Sequence, residues 1–106
     1  MSIKIKPLSV NAAFKGRRFK TEAYKAYEQE LYYQLPEMEV PKKELYLKIV
    51  VGLSSKNADI DNVLKPAIDV MQKKYGFNDK QIYILVAHKI DVKKGKEFID
   101  FEITNI

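Results

Sequence analysis

From Leu45 to Leu53 the chain alternates: Leu45, Leu47, Ile49, Val51 and Leu53 are interleaved with Tyr46, Lys48, Val50 and Gly52. Side chains of a strand point alternately to its two faces, so this pattern predicts a strand with one face committed to the core. A shorter alternation over Ser2 to Lys6, ended by Pro7, predicts a first strand, with a loop over residues 7 to 19 after it. Between Lys20 and Leu35 the period changes. Tyr24, Tyr27, Leu31 and Leu35 recur at three- and four-residue steps, one face of a helix that starts near Thr21 and is stopped by Pro36. Residues 36 to 43, with two prolines and several charges, read as a connection. A second helix is predicted from about Asn62 to Tyr75, where Leu64, Ile68, Met71 and Tyr75 share a face and Gly76 supplies the stop. Pro66 would cost about 3 kcal/mol inside a regular helix, so the first regular turn is expected to begin late, near Val63 or Leu64. Ile82 to Ile90 is apolar almost throughout and reads as a central strand. Phe98 to Thr104 is expected to pair with it through a turn at Lys93 to Lys96. The predicted order is β-α-β-α-β-β, an α/β or α+β two-layer sandwich in which two helices cover a mixed four-stranded sheet.

A chain of 106 residues is the size of one domain, and two halves would each lack a sufficient core, so residues 1–106 are read as a single unit. With 46% hydrophobic and 31% charged residues, disorder is excluded as the general state. There is no cysteine, which removes disulfides, thiolate metal sites and thiol nucleophiles, and fits a reducing cytoplasm. The apolar stretches are too short to span a bilayer and the first residues lack the apolar run of a signal peptide, so no membrane is expected. A formal charge of +5 favours polyanionic partners. The charge is unevenly spread: Lys15, Arg17, Arg18 and Lys20 surround Gly16, whereas Asp59, Asp61, Asp69 and Asp79 lie in the middle of the chain. A basic periphery around an acidic centre is what a metal-dependent nuclease needs.

The segment richest in chemistry is Asp59-Ile60-Asp61-Asn62-Val63-Leu64-Lys65, with Phe77-Asn78-Asp79-Lys80-Gln81 after the second helix. If Asp59 to Asp61 is extended, both carboxylates face one space while Ile60 turns to the core. Spacing alone does not decide whether Asp79 joins them. Two carboxylates about 4 Å apart repel by roughly 4 kcal/mol at an effective dielectric near 20, so a converging trio calls for a cation. Oxygen-only ligands select Mg²⁺ or Mn²⁺, ions that polarise a phosphoryl oxygen and help ionise an attacking water. A plainer reading stands beside this one. Asp-x-Asp before a helix also serves as an N-terminal cap with a solvated charge, and Asp61, Lys65 and Asp69 stand four apart as in a surface charge ladder worth about 0.3 to 0.5 kcal/mol per pair. His88, the one histidine, falls on the apolar face of a predicted strand and is read as a buried structural residue, and the seven tyrosines as core or interface. No Walker-type glycine loop is present.

The string Asp59-Ile60-Asp61-Asn62-Val63-Leu64-Lys65-Pro66, with Asp69 four residues past the lysine and Asn78-Asp79-Lys80-Gln81-Ile82 beyond the helix, resembles the signature of the RusA family of Holliday junction resolvases. The shared pattern is D-x-D-N-x-x-K, then D, then a D-D-x-Q-like turn into a strand, and it spans roughly residues 44 to 104. Asn11-Ala12-Ala13-Phe14 and its basic tail resemble the family's N-terminal loop more loosely. The resemblance implies that Asp59, Asp61 and Asp79 bind Mg²⁺, with Mn²⁺ as a substitute, and that Lys65 sits at the active site to hold or stabilise the scissile phosphate. Asn62 is read as ordering the turn or a side chain that holds the metal, and Asp69 as structural. In one place the chain departs from the family: Asn78 stands where two adjacent acids are common. The ligand is assigned to Asp79, which keeps the spacing to Gln81.

By the same resemblance the expected activity is paired symmetric hydrolysis of phosphodiesters in four-way DNA junctions, on phage or prophage recombination intermediates, by a homodimer whose two-fold symmetry matches that of the junction. Lys15, Arg17, Arg18, Lys20 and Lys56 are expected to meet phosphates, and Phe14 to wedge or stack at the crossover. Two alternatives stay open: a non-catalytic DNA- or junction-binding protein on the same fold, and a metal-dependent nuclease acting on flaps or simple duplexes.

Overall fold

A computed structural model of the chain describes the backbone of residues 1–15 and 19–106 and the side chains of residues 1–11 and 20–106. Strand β1 (Ser2–Ile3) leads to a short helix α1 (Val10–Ala13) and two short strands, β2 (Phe14–Lys15) and β3 (Phe19–Lys20), which pair antiparallel within the segment expected to be loop. Helix α2 (Glu22–Gln34) is capped by Thr21, whose hydroxyl accepts the Tyr24 N–H. Then come strand β4 (Leu45–Leu53), helix α3 (Ile60–Tyr75), strand β5 (Ile82–Asp91) and strand β6 (Phe98–Asn105). Four strands form one mixed sheet in the order β1-β6-β4-β5.

The alternation in β4 does what it predicts. Leu45, Leu47, Ile49 and Val51 are at most 1% exposed and, with Ile99, Phe101 and Ile103 of β6, meet Tyr27, Leu31 and Leu35 and the Val63, Ala67, Val70 and Met71 face of α3 in one core. Polar residues of β6, Asp100, Glu102 and Thr104, pair in register with Val50, Lys48 and Tyr46 on the other face, which no helix among the described residues covers. The result is a two-layer sandwich open on one side.

Besides that loop, three expectations need correction. First, β5 is not central and does not pair with β6. It is an edge strand, parallel to β4 from Leu45↔Ile82 to Leu53↔Asp91, and β6 takes the antiparallel place on the far side of β4. The α3 crossover delivers β5 parallel to β4, and β6 fills the remaining side because its alternate residues complete the core. An unbroken apolar run suits a strand covered on both faces, but here it lies bare: Tyr83, Ile84, Leu85, Val86 and Ile90 are 68%, 43%, 46%, 39% and 40% exposed. Second, His88 shares that edge and is exposed rather than buried. Third, α3 begins at Ile60, not in its second turn, and holds Pro66 in its interior. Pro66 is itself almost fully buried, so its packing offsets the lost backbone bond. The helix ends as read: Gly76 adopts φ 72° and donates its N–H to the Gln72 carbonyl.

Candidate functional site

Asp59 is the N-cap of α3, with extended backbone at φ −81° and ψ 132°, but its side chain makes no capping bond. Among the described residues its carboxylate accepts only from Asn62 Nδ2, at 3.4 Å. Ile60 and Asp61 are already helical, so the two acids stand two positions apart at a helix start, where successive side chains fan out, rather than on one side of a strand. Ile60 packs against the core, as its apolar character requires, and both acids remain exposed. The positive end of the α3 dipole favours anionic groups there. Among the described residues no cation lies within ion-pair distance of either acid. The plain capping role therefore does not account for Asp59.

Asp79 opens a single 3₁₀ turn, Asp79–Gln81, that its neighbours hold in place. Asn78 Oδ1 accepts the Lys80 N–H at 2.9 Å and Gln81 Oε1 accepts the Asn78 N–H at 3.0 Å, a reciprocal capping box. Gln81 Nε2 donates to the carbonyls of Pro41 at 3.4 Å and Lys43 at 3.1 Å, tying the turn to the approach of β4. Asn78 thus has a structural task where a second acid is common, and the Asp79 carboxylate is exposed and free of any ion pair within the described residues. The sequence carried the signal for this box: a cap-forming side chain followed three residues later by glutamine.

Helix α3 separates the two acidic regions. Sixteen helical residues extend about 24 Å, with Asp59 and Asp61 at the start and Asp79 four residues beyond the end. Along β4 the same separation appears, since Leu45 lies beside Ile82 and Leu53 beside Asp91. Among the described residues no three acidic or histidine side chains gather as a metal set would. What Asp79 does share is an open groove of about 300 Å³ between α3 and β5, lined on the helix by Lys65, Asp69 and Gln72 and on the strand by Tyr83 and Leu85. Within it Lys65 Nζ donates to Asp69 Oδ1 at 3.1 Å, the part of the charge ladder that forms.

Of the basic residues expected at DNA, Arg17 and Arg18 lie outside the described residues, and the side chains of Phe14 and Lys15 do too. Lys20 is exposed but engaged: it pairs with Glu28 at 3.0 Å and lies 5.0 Å from the Tyr24 ring centre. Lys73 joins it on Glu28 at 3.4 Å. Burial works to raise the Glu28 pKa, but the hydrogen bonds and charge of Lys20 and Lys73 outweigh it and hold the carboxyl below its ordinary 4.5. Lys56 is exposed in the connection before Asp59. A residue that sequence reading passed over is Lys89, whose ammonium reaches the same connection, donating to the carbonyls of Lys56 at 3.3 Å and Ala58 at 3.0 Å. Its signal was a lone lysine on the core-facing side of an apolar strand.

The donor chemistry of Asp59, Asp61 and Asp79 suits a hard divalent cation: carboxylate oxygens only, in a chain without thiols. Magnesium in particular is held by one or two carboxylates together with waters and substrate phosphates, so a complete protein cage is not required. Among known protein families, endodeoxyribonuclease RusA matches the chain over residues 8–102. No curated protein matches it. The matched span contains both acidic regions, Lys65 and every residue of the capping box.

Proposed function

Because the chain belongs to the RusA family of endodeoxyribonucleases, we propose that it is a divalent-metal-dependent resolvase of four-way DNA junctions, acting as a homodimer that joins its acids across the interface. The observation that carries this reading is the placement of Asp59 and Asp61 at one end of β5 and of Asp79 at the other. Edge strands are normally blunted by charge, proline or a covering element. Here β5 is bare and apolar over its first half, from Tyr83 to Val86, and again at Ile90. A second copy added antiparallel along this edge covers the patch and continues the sheet. The same two-fold operation lays the start of one β5 beside the end of the other, so the partner subunit's Asp79 approaches Asp59 and Asp61. Each dimer then has two equivalent acidic sites, as paired cuts in a junction of approximate two-fold symmetry require.

In this arrangement Asp59, Asp61 and the partner subunit's Asp79 hold the cation, Mg²⁺ or Mn²⁺. When bound, such an ion polarises the phosphoryl oxygen and favours ionisation of the attacking water. Lys65 places an ammonium in the groove beside this site, suited to the negative charge of the scissile phosphate, and Asp69 keeps that side chain laid along α3. Lys56 and the basic residues of the early loop, Lys15, Arg17, Arg18 and Lys20, supply phosphate contacts that set orientation and shape selection rather than base sequence. Phe14 completes the loop as a candidate wedge at the crossover. Cleavage of a mobile four-way junction, with and without Mg²⁺ and in competition with flaps and linear duplex, tests the reading. Selective metal-dependent cutting of the junction supports it. Junction binding without cutting would make the protein a non-catalytic binder, and preferred cutting of flaps would reassign the substrate.

A further inference from the structure

Lys89 stands opposite Val51 in the β4–β5 register, and Val51 is fully buried against the helices. The Lys89 side chain therefore leaves β5 on the helix-covered side, near the strand end where the 54–58 connection passes into α3. There its ammonium donates to the Lys56 carbonyl at 3.3 Å and the Ala58 carbonyl at 3.0 Å. These two acceptors bracket Asn57, and the residue after Ala58 is Asp59. Within residues 55 to 58 the other bonds are local and long: Asn57 N–H to Ser55 Oγ at 3.3 Å and Ala58 N–H to the Ser55 carbonyl at 3.3 Å. Among the described residues no carboxylate pairs with Lys89. An ammonium has three donors and no acceptor, and two of these are spent on backbone carbonyls rather than on the acids nearby.

We propose that Lys89 is a positioning residue of the acidic site: it clamps the Lys56 and Ala58 carbonyls so that the backbone presenting Asp59 is fixed before a cation arrives. This rests on the reading of Asp59 as a metal ligand. A carboxylate on a tethered backbone loses less freedom when it binds an ion than one on a loose connection, so the clamp strengthens cation binding without touching the ion.

The test compares the full-length wild type with Lys89→Met, Lys89→Gln and Lys89→Arg. In metal-free protein, amide hydrogen exchange at residues 57 to 60 is expected to quicken about ten-fold or more in the Met and Gln variants and to be partly restored in Arg, while amides of β4 and the middle of α3 are unchanged. Calorimetric Mg²⁺ titration is expected to show affinity lowered about ten-fold or more in Met and Gln, in the range typical for residues that orient metal ligands, with metal-free junction affinity unchanged. Unaltered exchange at 57 to 60 would overturn the clamp. Faster exchange with unaltered Mg²⁺ affinity would also overturn the proposal, leaving Lys89 merely structural. If the wild type itself neither binds Mg²⁺ nor cuts a junction, the nuclease reading fails and this one with it, a result distinct from either outcome in the variants.

Discussion

The Lys65 ammonium lies 3.1 Å from the Asp69 carboxylate, one turn further along α3, with the lysine side chain 66% exposed. An ion pair so placed contributes about 0 to 1 kcal/mol to stability. Lys65→Ala is therefore expected to leave the thermal midpoint nearly unchanged. A lysine facing a phosphate whose charge grows in the transition state is worth far more, about 10²-fold or above in rate. Single-turnover junction cleavage beside thermal denaturation separates the two contributions. Parallel losses in both would mark Lys65 as structural.

Asn78 offers the reverse experiment, the gain of an acid. Asparagine and aspartate are near-equal caps, so Asn78→Asp is expected to keep the Asp79–Gln81 turn and its stability within about 0.5 kcal/mol, on the scale of cap substitutions. The added carboxylate beside Asp79 is expected to lower the Mg²⁺ concentration for half-maximal cleavage several-fold. Asn78→Ala removes the acceptor for the Lys80 N–H and is expected to cost about 1 kcal/mol in urea denaturation. An unchanged metal requirement in Asn78→Asp would show that Asp79 works alone.

These residues show how far the sequence was readable. Alternation over Leu45 to Leu53 and the helical steps Tyr24, Tyr27, Leu31, Leu35 located a strand and a helix because each pattern has one period and one buried face. The apolar run at Ile82 to Ile90 announced a strand but not its neighbours, since hydrophobicity is the same whether a sheet or a second molecule covers it. Asp59 and Asp61 were legible as residue types and by motif. Their geometry is not, because Pro66 argues for a first regular turn near Val63 or Leu64, three or four residues past the actual start at Ile60, and its cost is met by tertiary packing that a local pattern does not contain. Lys89 stands out locally as a lysine in an apolar strand, but the backbone carbonyls it acts on lie more than thirty residues away and cannot be read from that pattern.

The bare edge makes its own prediction. Val86 lies near the middle of β5 and is 39% exposed. Val86→Asp sets like charges against each other across a two-fold axis while disturbing little in the single chain. Sedimentation velocity is expected to show a dimer for the wild type and a monomer for the variant, with circular dichroism unchanged. Cleavage should fall with the dimer. A variant that stays dimeric would place the interface elsewhere.

Mixed dimers report directly where the acids meet. Asp61→Asn and Asp79→Asn homodimers are each expected to bind a four-way junction and to be inert with Mg²⁺. In a mixed dimer of the two, sharing acids between subunits leaves one site with Asp59, Asp61 and Asp79 all intact, so the measurement is junction cleavage by the mixture. The predicted result is restored nicking of one strand without paired cuts. An inert mixed dimer, under conditions in which the wild type cuts the same junction, would contradict a site built across the interface.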